Sequence, residues 1–117
     1  MNWSNVKKTI ETFLEQKRGF GLSRRHITIS TSGIVPGIKR MLDDGIKVML
    51  AISLHAPNQE LRQQLIPYAQ IYKLEELLDV VKTYQAKTGN RIFWEYIMID
   101  KVTDKPELAH QLAKLLR

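Results

Sequence analysis

The chain has no cysteine in its 117 residues. That removes disulfides and thiolate metal sites together. It has no apolar run of about 18 residues, so nothing in it reads as a membrane span. The first residues, MNWSNVKKTIETF, show no apolar signal-peptide core and no small-residue cleavage site. Together these absences point to a cytoplasmic protein. Glycine-rich phosphate signatures are missing too, since there is neither a P-loop nor a GxGxxG. The three histidines, His26, His55 and His110, lie far apart and lack metal-ligand spacing.

What is present fits one domain over residues 1–117. Hydrophobic residues make up 44% of the chain, so a packed core is within reach and disorder is disfavoured. A chain of this size buries roughly two thirds of its unfolded surface. The net charge of +6 permits an anionic partner such as RNA without requiring one. Lys17, Arg18, Arg24 and Arg25 flank a loop broken by Gly19 and Gly21. Two readings stand there: a solvated loop, or a patch that contacts phosphates.

The sharpest pattern is KVMLAISLHAPN, residues 47–58. Val48, Leu50, Ile52 and Leu54 fall on one face of a strand, and Met49, Ala51, Ser53 and His55 on the other. The first face is large and branched, suited to lying under helices. The second is small, then polar where the strand ends. A polar pair at the carboxyl end of a strand, just before a helix start, is a common ligand-site arrangement in parallel α/β proteins.

The remaining elements follow in order. A helix is expected over 5–16, capped by Ser4, with Val6, Ile10, Phe13 and Leu14 as its stripe. A loop over 17–25 leads to a strand over 26–31. Ser32 and Gly33 turn the chain, and Pro36 suits the first turn of a helix that closes at Asp44-Gly45. After the central strand, Asn58 caps a short helix carrying Leu61, Leu65 and Ile66, which Pro67 stops. A connector over 68–72 precedes a helix over 74–87, with Leu74, Leu77, Leu78, Val81 and Tyr84 inward and Gly89 at its end. The third strand spans 91–99. Asp104 with Glu107 resembles a capping box for a last helix, lined by Leu108, Leu112, Leu115 and Leu116 and still running at the end of the chain. Strands alternating with helices predict an α/β fold with about three parallel strands, flanking helices and right-handed crossovers. No internal repeat or low-complexity segment is present.

In such a sheet all strand ends share one edge. Here that edge would gather Ser30, Thr31, Ser32 and Gly33, then Ser53 and His55, then Asp100. Hydroxyls, free backbone N–H groups and an imidazole could hold a nucleoside or amino acid. Residues 30–33 could equally do no more than turn the chain and cap the next helix. Ser53 and His55 do not read as a nucleophile pair. They lie two apart on one strand face, about 7 Å between Cα atoms, with no carboxylate placed to orient the imidazole. Glu95, inside an apolar strand, needs a partner. It either pairs with an arginine or faces a ligand cavity. Phe93, Trp94 and Tyr96 read as core. His26 and His110 show nothing unusual.

Three stretches, SRRHITISTSGIVPGIK, LAISLHAPNQELRQQLIP and EYIMID with ELAHQLAKLL, resemble the radical S-adenosylmethionine enzymes that methylate carbon 2 of adenine in large-subunit rRNA and tRNA. They are similar also to the related enzymes that act on carbon 8 of the same rRNA base. The likeness covers essentially the whole chain, in the same motif order. It implies a central fragment of a partial (β/α)6 radical SAM barrel. In that family a CxxxCxxC loop holds a 4Fe–4S cluster that reductively cleaves S-adenosylmethionine. A Gly-Glu-Pro motif holds the methionine amino group. A serine ending the third strand and a Ser-Leu-His ending the fourth contact the cofactor. The matching positions here are Ser30 and Ser53, Leu54 and His55.

The departures are as informative as the match. Without cysteine the chain has neither the cluster ligands nor the family's methyl-carrying cysteine. The family's first two strands, its Gly-Glu-Pro motif and the sixth strand with its cofactor-contacting asparagine have no counterpart. The resemblance therefore implies a segment that is inactive alone: a truncated product, an excised domain or one part of a split enzyme. rRNA and tRNA are the partners it implies. Two other readings stand beside it, a non-catalytic nucleotide- or RNA-binding module and a protein-interaction module. Three strands of an open barrel leave two edges unpaired and one face bare, so self-association into a homo-oligomer is expected.

Overall fold

Three short runs rich in β-branched and apolar residues form the sheet: β1 (Thr28–Thr31), β2 (Met49–Ser53) and β3 (Ile92–Glu95). The computed structural model, which describes residues 2–117, joins them in parallel in the order β1-β2-β3. Register places Ser30 beside Ala51 and Ala51 beside Phe93, then Ser53 beside Glu95. The helices are α1 (Trp3–Leu14), α2 (Val35–Asp43), α3 (Gln59–Leu65), α4 (Leu74–Thr88) and α5 (Pro106–Leu115). This is the α/β architecture of a partial barrel, three parallel strands with flanking helices.

The core lies between one face of the sheet and α1, α2 and α4. Val48, Leu50 and Ile52 are fully buried there with Ile38, Leu77, Val81 and Tyr84. The predicted alternation of the central strand therefore holds. The Tyr84 hydroxyl donates to the Val48 carbonyl at 2.6 Å, and burial pushes its pKa up to about 12. Helix α4 ends on Gly89 in the left-handed region (φ 70°), as its sequence predicts. Asn58 caps α3 by accepting from the Leu61 N–H at 2.9 Å.

Several element ends differ from expectation. Ser4 is not the cap of α1. The helix starts at Trp3, whose indole N–H donates to Asp44 at 2.7 Å and pins the helix start to the end of α2. That bond, with Lys7 close by, holds the Asp44 carboxyl below its ordinary range. Strand β1 begins at Thr28 because Arg24–His26 coil into a 3-10 turn capped by Ser23. Strand β3 ends at Glu95, not at residue 99. Beyond it the buried Thr103 hydroxyl donates to the Ile97 carbonyl and accepts from the Ile99 N–H, bending residues 97–103 into a loop. Asp104 does not cap α5. Lys105 stands at that position, Pro106 fills the first turn, and the helix ends at Leu115 with Leu116 exposed. On α4, Val80 is buried where Leu78 was expected to be.

Candidate functional site at the strand ends

The other face of the sheet carries Thr28 and Ser30 from β1, Met49, Ala51 and Ser53 from β2, and Phe93 and Glu95 from β3. It is open: Phe93, expected in the core, is 53% exposed, and Ser30 and Glu95 are exposed too. The reason is the pleat. Successive side chains on a strand alternate sides, so Trp94 packs on the core while Phe93 and Glu95 point away from it.

Glu95 organises the carboxyl ends of the strands. Its Oε2 accepts from the Ser30 hydroxyl at 3.1 Å and from the Ser53 hydroxyl at 2.9 Å. Its main-chain carbonyl accepts from the N–H of Leu54 at 3.0 Å and of His55 at 3.1 Å. Of the two partners considered for Glu95 from sequence, arginine is not the one. Among the described residues no lysine or arginine makes an ion pair with it. Residues from all three strands thus meet on one carboxylate.

His55 sits in the left-handed region (φ 59°), a conformation that costs a non-glycine residue about 1 kcal/mol or more. Its Nδ1 accepts from the Ile97 N–H at 3.1 Å, so in the neutral ring the proton belongs to Nε2. Ser53 is bonded to Glu95 and not to His55, and no Ser-His pair forms. The Leu54 side chain is fully buried, so this residue can meet a ligand only through its main chain.

The turn after β1 resolves into two parts. The Thr31 hydroxyl accepts from the N–H groups of Gly33 and Ile34 at 3.2 and 3.5 Å, so those donors are already engaged. Gly33 is obligatory. Its φ is 96°, and a Cβ there would meet Leu77 at 2.8 Å and the Arg62 guanidinium at 3.0 Å. Ser30 takes no part in the turn; its hydroxyl serves Glu95. Asp100 does not join this edge. It lies past the end of β3 with its side chain exposed, and Lys101 is 3.9 Å away.

Sequence reasoning missed Arg62. It is fully buried, and its Nη2 donates to the Ser32 carbonyl at 2.7 Å and the Ser53 carbonyl at 3.3 Å. It therefore ties the ends of β1 and β2 together from the helix side. Its Nε and Nη1 are buried without partners, and burial pushes the guanidinium pKa down. The available signal was its place one helical turn before the buried Ile66, on the inward stripe of α3. The loop cations Lys17, Arg18, Arg24 and Arg25 are exposed. Among the described residues no group of three His, Cys, Asp or Glu side chains is placed to hold a metal.

No protein-family model matches the chain. Curated proteins do. A probable dual-specificity RNA methyltransferase RlmN of Symbiobacterium thermophilum is 48% identical over 116 residues, covering 99% of this chain and 31% of the relative. A ribosomal RNA large subunit methyltransferase N of Nitrosopumilus maritimus is 49% identical, covering 99% and 33%. Among solved structures, a radical SAM methyltransferase from Sphaerobacter thermophilus superposes with a TM-score of 0.87 at 40% identity, covering 98% of this chain and 34% of that one. The chain spans about a third of the length of the proteins it matches.

Proposed function

Because this chain belongs, as a segment, to the radical SAM RNA methyltransferases, we propose that it is part of an enzyme that methylates adenine carbon 2 in large-subunit rRNA and tRNA. Its share of the site is the S-adenosylmethionine edge formed by Ser30, Ser53, the Leu54 main chain and His55. The observation that carries this reading is the convergence of Ser30 and Ser53 on Glu95 at the ends of three parallel strands. A cofactor lodged at such an edge meets polar atoms from every strand, the usual arrangement of parallel α/β sites. Bound there, S-adenosylmethionine would supply the methyl group, held by Ser30, Ser53, the Leu54 main chain and His55. The residues here orient it and donate no electrons.

The family's iron–sulfur cluster does not fit this chain, which has no cysteine to ligate it. We therefore assign the segment cofactor contacts and no methyl transfer by itself. Residues 1–117 are one folding unit on this reading, an incomplete piece of the barrel, working in the cytoplasm beside its RNA substrates. Among the described residues no helix is long and apolar enough to cross a membrane. The outer edges of β1 and β3 are unpaired in the three-stranded sheet, and homo-oligomers through them are part of the same reading. Sedimentation at rising concentration should show association; a clean monomer throughout contradicts that part.

Equilibrium dialysis against S-adenosylmethionine tests the reading. Saturable uptake without methylation of an rRNA fragment is expected. Absence of uptake removes the cofactor site, and methylation by the chain alone removes the claim of inactivity. The exposed Lys17, Arg18, Arg24 and Arg25 support a second reading, a non-catalytic RNA-binding module. RNA affinity that falls steeply with salt, in a chain that ignores S-adenosylmethionine, would favour it.

A further inference from the structure

Both serine hydroxyls at the strand edge direct their protons to the same carboxylate oxygen. A hydroxyl has one proton and two acceptor lone pairs. With the proton committed to Glu95, each Ser oxygen can only accept from anything else. Among the described residues no hydrogen bond reaches the second carboxylate oxygen, and an ionised carboxylate is itself acceptor-only. The N–H groups of Leu54 and His55, which could have held an anion here, are both turned to the Glu95 carbonyl. Those of Gly33 and Ile34 are taken by Thr31. Around Ser30, Ser53 and Glu95 the edge therefore offers oxygen acceptors and its nearby backbone donors are occupied, which leaves the His55 Nε2–H as the side-chain donor beside them.

We propose that Glu95 is a positioning residue that fixes the hydrogen-bond polarity of this edge, so that it takes proton-donating ligand groups, sugar hydroxyls or an ammonium, and turns away carboxylates and phosphates. The assignment rests on the S-adenosylmethionine reading only for the name of the natural ligand. Its chemistry follows from Ser30, Ser53 and Glu95 alone. Glu95→Gln has nearly the same shape but can present an N–H₂ to the two serines. Their hydroxyls would then rotate, and the edge would acquire donors.

The test is a cycle of ligand against variant. The labelled chain is titrated with adenosine and with 2′,3′-dideoxyadenosine, and the amide shifts of Ser30, Ser53 and Glu95 are followed. The unmodified chain should prefer adenosine by about tenfold, the worth of hydrogen bonds to a charged group. Glu95→Gln should erase most of that preference while keeping a dispersed spectrum. L-methionine, which has the ammonium and no sugar, separates the two donor classes: shifts at the same amides that Glu95→Gln abolishes would assign the edge to the ammonium. If Glu95→Gln loses its fold, Ser53→Ala removes one acceptor and should narrow the preference in the same way. The proposal is overturned if neither adenosine nor methionine moves these amides. It is overturned as well if the variant weakens adenosine and its dideoxy analogue equally, or if Ser53→Ala leaves the preference whole. If adenosine shows the cycle and S-adenosylmethionine fails to bind, the cofactor reading falls and the polarity assignment stands.

Discussion

The two faces of one sheet are built on opposite rules. On the helix side, Val48, Leu50 and Ile52 are fully buried in the apolar core cluster, and Leu54 is fully buried beyond them. On the open side, the same strands present exposed Ser30 and half-buried Ser53, both donating to the exposed Glu95. The alternation of a strand puts these rules one residue apart. Apolar packing is therefore concentrated on one side and the polar hydrogen-bonded edge on the other, and substitutions one position apart should separate the two.

The largest effect should come from the packed side. Leu77→Ala removes a fully buried side chain that packs under Gly33, and should cost about 3 kcal/mol in urea unfolding. Gly33→Ala should cost about 2 kcal/mol by the same measurement, because it forces a Cβ into a positive-φ position already crowded by Leu77 and Arg62. Tyr84 sharpens the contrast with pH. Its folded-state pKa is raised above the unfolded value of about 10, so its stabilisation is complete below that pH. It is lost as pH climbs towards about 12, a fall on the order of 2 kcal/mol that Tyr84→Phe should not show in parallel melts.

Arg62 lies where the two rules meet. Arg62→Met removes a buried charge and also strips the donor from the Ser32 and Ser53 carbonyls. The orphaned carbonyls should outweigh the relief, with a net loss of about 1 kcal/mol in urea unfolding. The smallest stability effect belongs to the open face. Ser53→Ala should change unfolding by less than about 0.5 kcal/mol, since its hydroxyl is not buried, yet weaken uptake of S-adenosylmethionine in dialysis.

The packed face was legible in the sequence because burial leaves a periodic trace. The run from Val48 to Leu54 alternates strictly, and α4 repeats its apolar residues at helical spacing. The ends of elements were less legible. The start of α1 depends on a bond between Trp3 and Asp44, which lie 41 positions apart, and the end of β3 on Thr103 bonding back to the main chain. Neither leaves a local pattern. The site showed the same division. Ser30 and Ser53 stood out at strand ends, and Glu95 stood out as a carboxylate in an apolar strand. That they share a hydrogen-bond centre depends on register across three strands, which no single strand encodes. Arg62 was hidden because a charged residue on a helix reads as solvated until its neighbours are known.

The measurement that bears most directly on the central claim is an amide-correlation NMR spectrum of the labelled chain during titration with S-adenosylmethionine. The division between faces predicts dispersed peaks, with shifts confined to residues around Ser30, Ser53–His55 and Glu95. Peaks on α2 and α4 should stay in place. A dispersed spectrum that does not move, or shifts spread over the packed face, would contradict it.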